Sequence, residues 1–76
     1  MKHIDERYII KNLPNRFSEY INDYPYTVVR ECPDGNYYYG VYNNIKYASH
    51  IAREIGNSFI VESKNVINGY INSWTK

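Results

Sequence analysis

Leucine is almost missing from this chain: Leu13 stands alone against ten isoleucines and five valines. Helical bundles rely on side chains that keep their rotamer freedom in a helix, so a supply dominated by β-branched residues argues for strand-rich packing instead. Cysteine is as scarce. Cys32 is the only one, which rules out an internal disulfide and places the chain outside the disulfide-stapled secreted class. Charge of one sign is missing too. Nine basic and eight acidic residues leave a net charge of +1, too little for the electrostatic footprint of a DNA, RNA or anionic-membrane binder. No apolar run reaches bilayer length, and the opening MKHIDER carries charge where a signal peptide would be apolar. A cytoplasmic protein without membrane association is therefore expected.

Catalytic signatures are absent as well: there is no phosphate-cradling glycine loop, no metal-ligand spacing and no nucleophile elbow. Cys32, His50, Asp34 and His3 are the remaining reactive residue types. Cys32, at a strand end before Pro33, reads as a small filler, and His50 as a solvated or edge-packed histidine. No catalytic residue, metal site or cofactor is expected.

Tyrosine is what the chain has in quantity, ten of 76 residues. Each combines a large apolar body with a polar tip, and so suits both a core and a contact surface. The accompanying wealth of Asn, Ile and Lys resembles proteins of AT-rich genomes, so codon bias accounts for part of the count. A chain of this length forms one small domain, residues 1–76, burying about 60% of the surface its unfolded form exposes.

Along the chain, Tyr8, Ile9 and Ile10 form a short apolar run, expected as an interior strand buried on both faces. Pro14 suits a first helical position. Phe17, Tyr20, Ile21 and Tyr24 then recur at helical spacing until Pro25 stops the helix. Residues 26–32 and 36–43 read as a hairpin around Pro33, Asp34 and Gly35, with a loop of two, three or four residues and regular alternation within each strand. Asn43 or Asn44 caps a helix carrying Ile45, Ala48, Ile51, Ala52 and Ile55 on one face, and Gly56 ends it. Phe59, Ile60 and Val61 make a second buried strand, and Val66 to Trp74 a short final helix.

The resulting order, β-α-β-β-α-β with a trailing helix, predicts an α+β two-layer sandwich of the ferredoxin-like type, both helices covering one face of the sheet. A simpler arrangement keeps only the ββαβ part and makes residues 4–13 helical.

Within strand 36–43, alternation puts Tyr37, Tyr39 and Val41 on one face and Tyr38, Gly40 and Tyr42 on the other. With Val41 toward the helices, Tyr38 and Tyr42 face outward and Arg30 joins them under one hairpin register. Tyr and Arg are the residue types enriched in binding hot spots. Arg30, Tyr38 and Tyr42 are thus the candidate partner-binding residues, unless the C-terminal helix and Trp74 cover them.

The run YIIKNLP, Tyr8 to Pro14, resembles the first-strand signature of RNA-recognition-motif domains. That resemblance implies single-stranded nucleic acid stacked on Tyr37 and Tyr39, although Ile9 stands where the family has an aromatic and Gly40 where it has an apolar residue. The segment Tyr26 to Glu62, YYYGVYNN followed by IKYASHIAREIG, is similar in style to small accessory proteins of phages and mobile elements. This implies a non-catalytic protein that inhibits or modulates a bacterial host protein, as anti-CRISPR proteins do. A homodimer formed through strand 26–32 as an exposed sheet edge is the third expectation.

Overall fold

A computed structural model describes residues 6–69 of the chain. They form a small α+β domain with one mixed five-stranded sheet and two helices. A 3-10 turn at Glu6–Tyr8 leads into β1 (Ile9–Lys11), so Tyr8 lies just before the strand that was expected to include it, and among the described residues the helical alternative for this segment does not form. α1 is a single turn, Phe17–Tyr20. The expected helix from Pro14 to Tyr24 fails to propagate because no side chain caps its start and Asn22 and Asp23, before Pro25, are weak helix formers.

β2 (Tyr26–Cys32) and β3 (Gly35–Tyr42) make the hairpin. Cys32 pairs with Gly35, so the loop holds only Pro33 and Asp34. Gly35 has φ 143°, a conformation open essentially to glycine. α2 (Ile45–Ile55) forms as its periodicity predicts. The Asn44 side chain accepts from the backbone N–H groups of Lys46 at 2.8 Å and Tyr47 at 3.1 Å, and Gly56 closes the helix at φ 68°. β4 (Ser58–Glu62) follows, then a 3-10 turn at Ser63–Asn65 and β5 (Ile67–Asn68). Val66 and Ile67 are therefore extended, not the start of a final helix. Its later members, Tyr70, Ile71 and Trp74, lie outside the described residues.

The strands lie in the order β4-β2-β3-β1-β5, with β2 antiparallel to β3 and β4, and β1 parallel to β3 and β5. In a ferredoxin-like sheet the strand 26–32 would lie at the edge. Here it lies inside, paired on both sides, and its run Thr27, Val28, Val29 is buried throughout. A continuous apolar run needs cover on both faces, and an interior strand supplies it. The expected edge for a dimer is thereby closed. Conversely, Phe59–Val61, expected as a doubly buried strand, lies on an edge strand in which only Val61 is buried.

The helices lie on opposite faces rather than together. Val29, Val61 and Ile10 form the core on one face, with Tyr8, Leu13, Tyr38, Phe59 and Val66 packed against it and nothing from α2. α1 joins that face through Phe17, whose ring meets Tyr38 edge-on at 6.1 Å. α2, with Ala48 fully buried, covers the face of Val28, and its carbonyl at Ala52 accepts from Ser58 Oγ at 2.6 Å.

A buried polar pair ties the chain behind β4 to the start of β2. Ser63 Oγ donates its only proton to the Tyr24 carbonyl at 2.7 Å. Thr27 Oγ1, 2.6 Å from the same oxygen, must therefore be the donor in that contact. Removing Ser63's hydroxyl leaves the buried Thr27 proton and the part-buried Tyr24 carbonyl without that partner, whereas removing Thr27's leaves Ser63 still bonded. Ser63→Ala is expected to cost about 2 kcal/mol and Thr27→Val about 1. Urea melts of the two variants check the ordering.

Candidate functional site: an aromatic surface on β3 and α2

The hairpin ladder shifts register between Val28 and Val29: Val28 pairs with Gly40, while Val29 pairs with Tyr38. Tyr39 is the extra residue of a β-bulge. The bulge breaks the expected alternation, because paired residues in an antiparallel ladder share a face. Tyr37, Gly40 and Tyr42 share the face of Tyr26, Val28 and Arg30, and Tyr38 and Val41 share that of Thr27 and Val29.

The three expected binding residues are thus not brought together. Tyr38 turns inward onto the Ile10, Val29 and Val61 core and the Phe17 ring. Burial raises its hydroxyl pKa, with smaller contributions from the Tyr20 and Tyr42 hydroxyls. Arg30 is exposed on the Tyr42 face, paired with Tyr37 while Tyr42 pairs with Tyr26. Four residues along β2 separate the two positions, about 13 Å. Gly40 was the available signal for the bulge, since an isolated glycine inside a strand pattern often marks one.

A different group of tyrosines comes together instead. The Tyr42 and Tyr47 rings meet edge-on with centroids 5.4 Å apart. Gly40 makes room for this, since a Cβ there would come within 2.8 Å of the Tyr42 hydroxyl. Tyr42 is half-buried, and its hydroxyl pKa is raised first by burial, then by the neighbouring hydroxyls of Tyr39 and Tyr47. Tyr39 and Tyr47, its neighbours, have 45% and 55% of their surface exposed. Tyr47 went unnoticed in the sequence because it falls on the polar arc of its helix, where an aromatic adds nothing to the apolar periodicity.

At the other end of β3, Tyr37 is committed to the hairpin. Its hydroxyl donates to Asp34 Oδ2 at 2.7 Å, the Lys11 ammonium lies 5.7 Å from its ring, and Lys11 also donates to the Asp34 carbonyl at 2.7 Å. The Tyr37 hydrogen bond holds the Asp34 carboxyl below the usual carboxylate range, with Lys11 adding a smaller pull. Because the folded value is the lower one, this contribution to stability is complete above the ordinary carboxylate pKa, about 3.9. It is lost as pH falls further, through the folded value. In Tyr37→Phe the Asp34 titration should move up toward the ordinary range, as read from its side-chain carbon shifts by NMR.

Of the remaining reactive residues, Cys32 is half-buried beside an open groove of about 380 Å³ that also takes in Glu6, Ile9 and Lys11. His50 is exposed on α2, and His3 lies outside the described residues. Among the described residues no three His, Cys, Asp or Glu side chains gather as a metal site, and no helix is long and apolar enough to cross a membrane. No protein-family model, curated protein or solved structure matches the chain.

Proposed function

We propose that the chain is a non-catalytic binding protein that engages a bacterial host protein through the aromatic surface of Tyr39, Tyr42 and Tyr47. The observation that carries this reading is the exposure of Tyr39 and Tyr47, at 45% and 55%, beside the half-buried Tyr42. Tyrosine brings large contact area with few rotatable bonds, and is enriched in the residues that dominate binding energy. The likeness of residues 26–62 to mobile-element accessory proteins supports a bacterial protein as the partner, inhibited or modulated by the contact.

The test is capture from a bacterial lysate with the immobilised chain and its Tyr39→Ala/Tyr47→Ala variant, read by mass spectrometry. A protein retained by the parent should be held at least about 30-fold more weakly by the variant, the effect of losing one hot spot. Circular dichroism should report an unchanged fold. Equal retention by both chains would exclude this surface.

A second reading, single-stranded nucleic acid stacked on tyrosine, is favoured by one observation: Tyr39 is exposed while Tyr38 turns inward. Against it stand the net charge of +1 and the engagement of Tyr37 with Asp34. Titration with mixed-sequence oligonucleotides separates the two, since stacking in a basic groove gives affinity that falls steeply with salt.

A further inference from the structure

The backbone bonds on either side of β4 fix which way its polar groups point. Glu31 N–H donates to the Asn57 carbonyl and Ser63 N–H to the Pro25 carbonyl, both at the two ends of the β2 and β4 ladder. Between these ends, the hydrogen-bonded positions of an antiparallel pair alternate. Phe59 and Val61 therefore bond inward to Val29 and Thr27, while Ser58, Ile60 and Glu62 direct their N–H and C=O groups away from the sheet. Among the described residues no strand lies on that side.

This edge also differs from the one opposite. β5 is two residues long, too short to template another strand, whereas β4 presents five residues. Proteins guard long edges with proline, charged side chains, lysine above all, or a bulge. β4 has no proline, lysine or bulge, and its one charge, Glu62, stands at the end of the strand: its sequence is SFIVE and its pairing with β2 is regular.

We propose that two copies of this chain pair antiparallel through β4 about a two-fold axis at Ile60, joining two five-stranded sheets into one. The strand is self-complementary in that register. Ile60, half-buried in the single chain, faces Ile60 of the second copy, and Ser58 faces Glu62 of the second copy on both sides of the axis. The outward groups of three residues then meet the same three in the other chain, giving a closed interface of isologous type. The only charge on the strand does not oppose itself. The two Glu62 positions lie four residues apart along the pair, about 13 Å, which is beyond the screening length in physiological salt. A peptide strand from another protein would satisfy the same backbone groups, but the second copy matches side chains and charges as well, and is always present.

The experiment uses the full chain. Sedimentation equilibrium from micromolar to near-millimolar concentration should show the mass rising from 9.1 kDa toward twice that value. Glu62→Pro should abolish the rise. Glu62 has φ −71°, which proline adopts without strain, and the N–H it removes points outward, so the single chain keeps its fold. Amide hydrogen exchange on the parent chain gives an independent measure. The Ile60 and Glu62 amides should gain protection with concentration, while Phe59 and Val61 stay protected throughout. A mass of one chain at all concentrations, a dimer that persists in Glu62→Pro, or Ile60 and Glu62 amides indifferent to concentration would each overturn the proposal.

Discussion

Ile10→Ala is expected to leave a large fraction of the chain unfolded at physiological temperature. Ile10 is fully buried in β1 and, with Val29 and Val61, forms the core cluster of that sheet face. Its strand is only three residues long, yet it joins β3 to β5. Truncating a buried isoleucine to alanine costs about 2–5 kcal/mol, the upper end applying where the surroundings cannot collapse into the space. A domain of this size draws no more than about 3–5 kcal/mol from its core, so the loss is comparable to the whole stability. The melting temperature should fall by about 8–40 °C in a circular-dichroism scan, at roughly 4–8 °C per kcal/mol. Ile10→Val, which removes one methyl, should cost about 1 kcal/mol. A small effect of Ile10→Ala would mean that β1 is not integral to the fold.

Tyr38→Ala is expected to be the second most damaging change, and Tyr42→Ala a mild one. The sequence alone treats the two as equivalent members of one outward-facing patch. The bulge at Tyr39 makes them different. Tyr38 packs on the core and lies edge-on to Phe17, the one buried side chain of α1. Its loss opens a cavity and detaches α1 from the sheet, at a cost of about 2–4 kcal/mol given that the ring is only half-buried. Tyr42 loses mainly a partly exposed contact with Tyr47, about 1 kcal/mol. Tyr38→Phe should be close to the parent, since the ring rather than the hydroxyl meets Phe17. Chemical denaturation of the three variants reads this directly, and equal costs for Tyr38→Ala and Tyr42→Ala would place both rings in similar surroundings.

These expectations differ from those of the sequence where the physical signal is non-local. α2 was legible in detail, since its apolar periodicity, the Asn44 cap and Gly56 act within a few residues of one another. The hairpin was legible for the same reason, with Pro33, Asp34 and Gly35 stating the turn locally. α1 was over-read: Phe17, Tyr20, Ile21 and Tyr24 have helical spacing, but a short uncapped segment with Asn22 and Asp23 does not sustain a helix. The helical spacing of Val66, Ile67 and Tyr70 misled at its start, because Ile67 has β1 beside it to pair with and an edge position outweighs weak propensity.

The candidate site was legible only in kind. That tyrosines of strand 36–43 supply a surface follows from their number, since two faces of aromatics exceed what a small core absorbs. Which tyrosines was undetermined, because one extra residue reverses every later side chain and a bulge is set by what the neighbouring strands demand.

By itself the sequence determined the α+β class, the hairpin with its two-strand pairing, and the capped helix after it. Each rests on residues close along the chain, whose preferences for turns, caps and periodic burial act without the rest of the molecule. The tertiary structure alone decided that β2 lies inside the sheet and β4 at its edge, that the helices take opposite faces, and that Tyr38 turns inward while Tyr39 and Tyr47 stay exposed. Those outcomes depend on which distant strands compete for the same backbone partners and the same buried space, and no local preference encodes the winner.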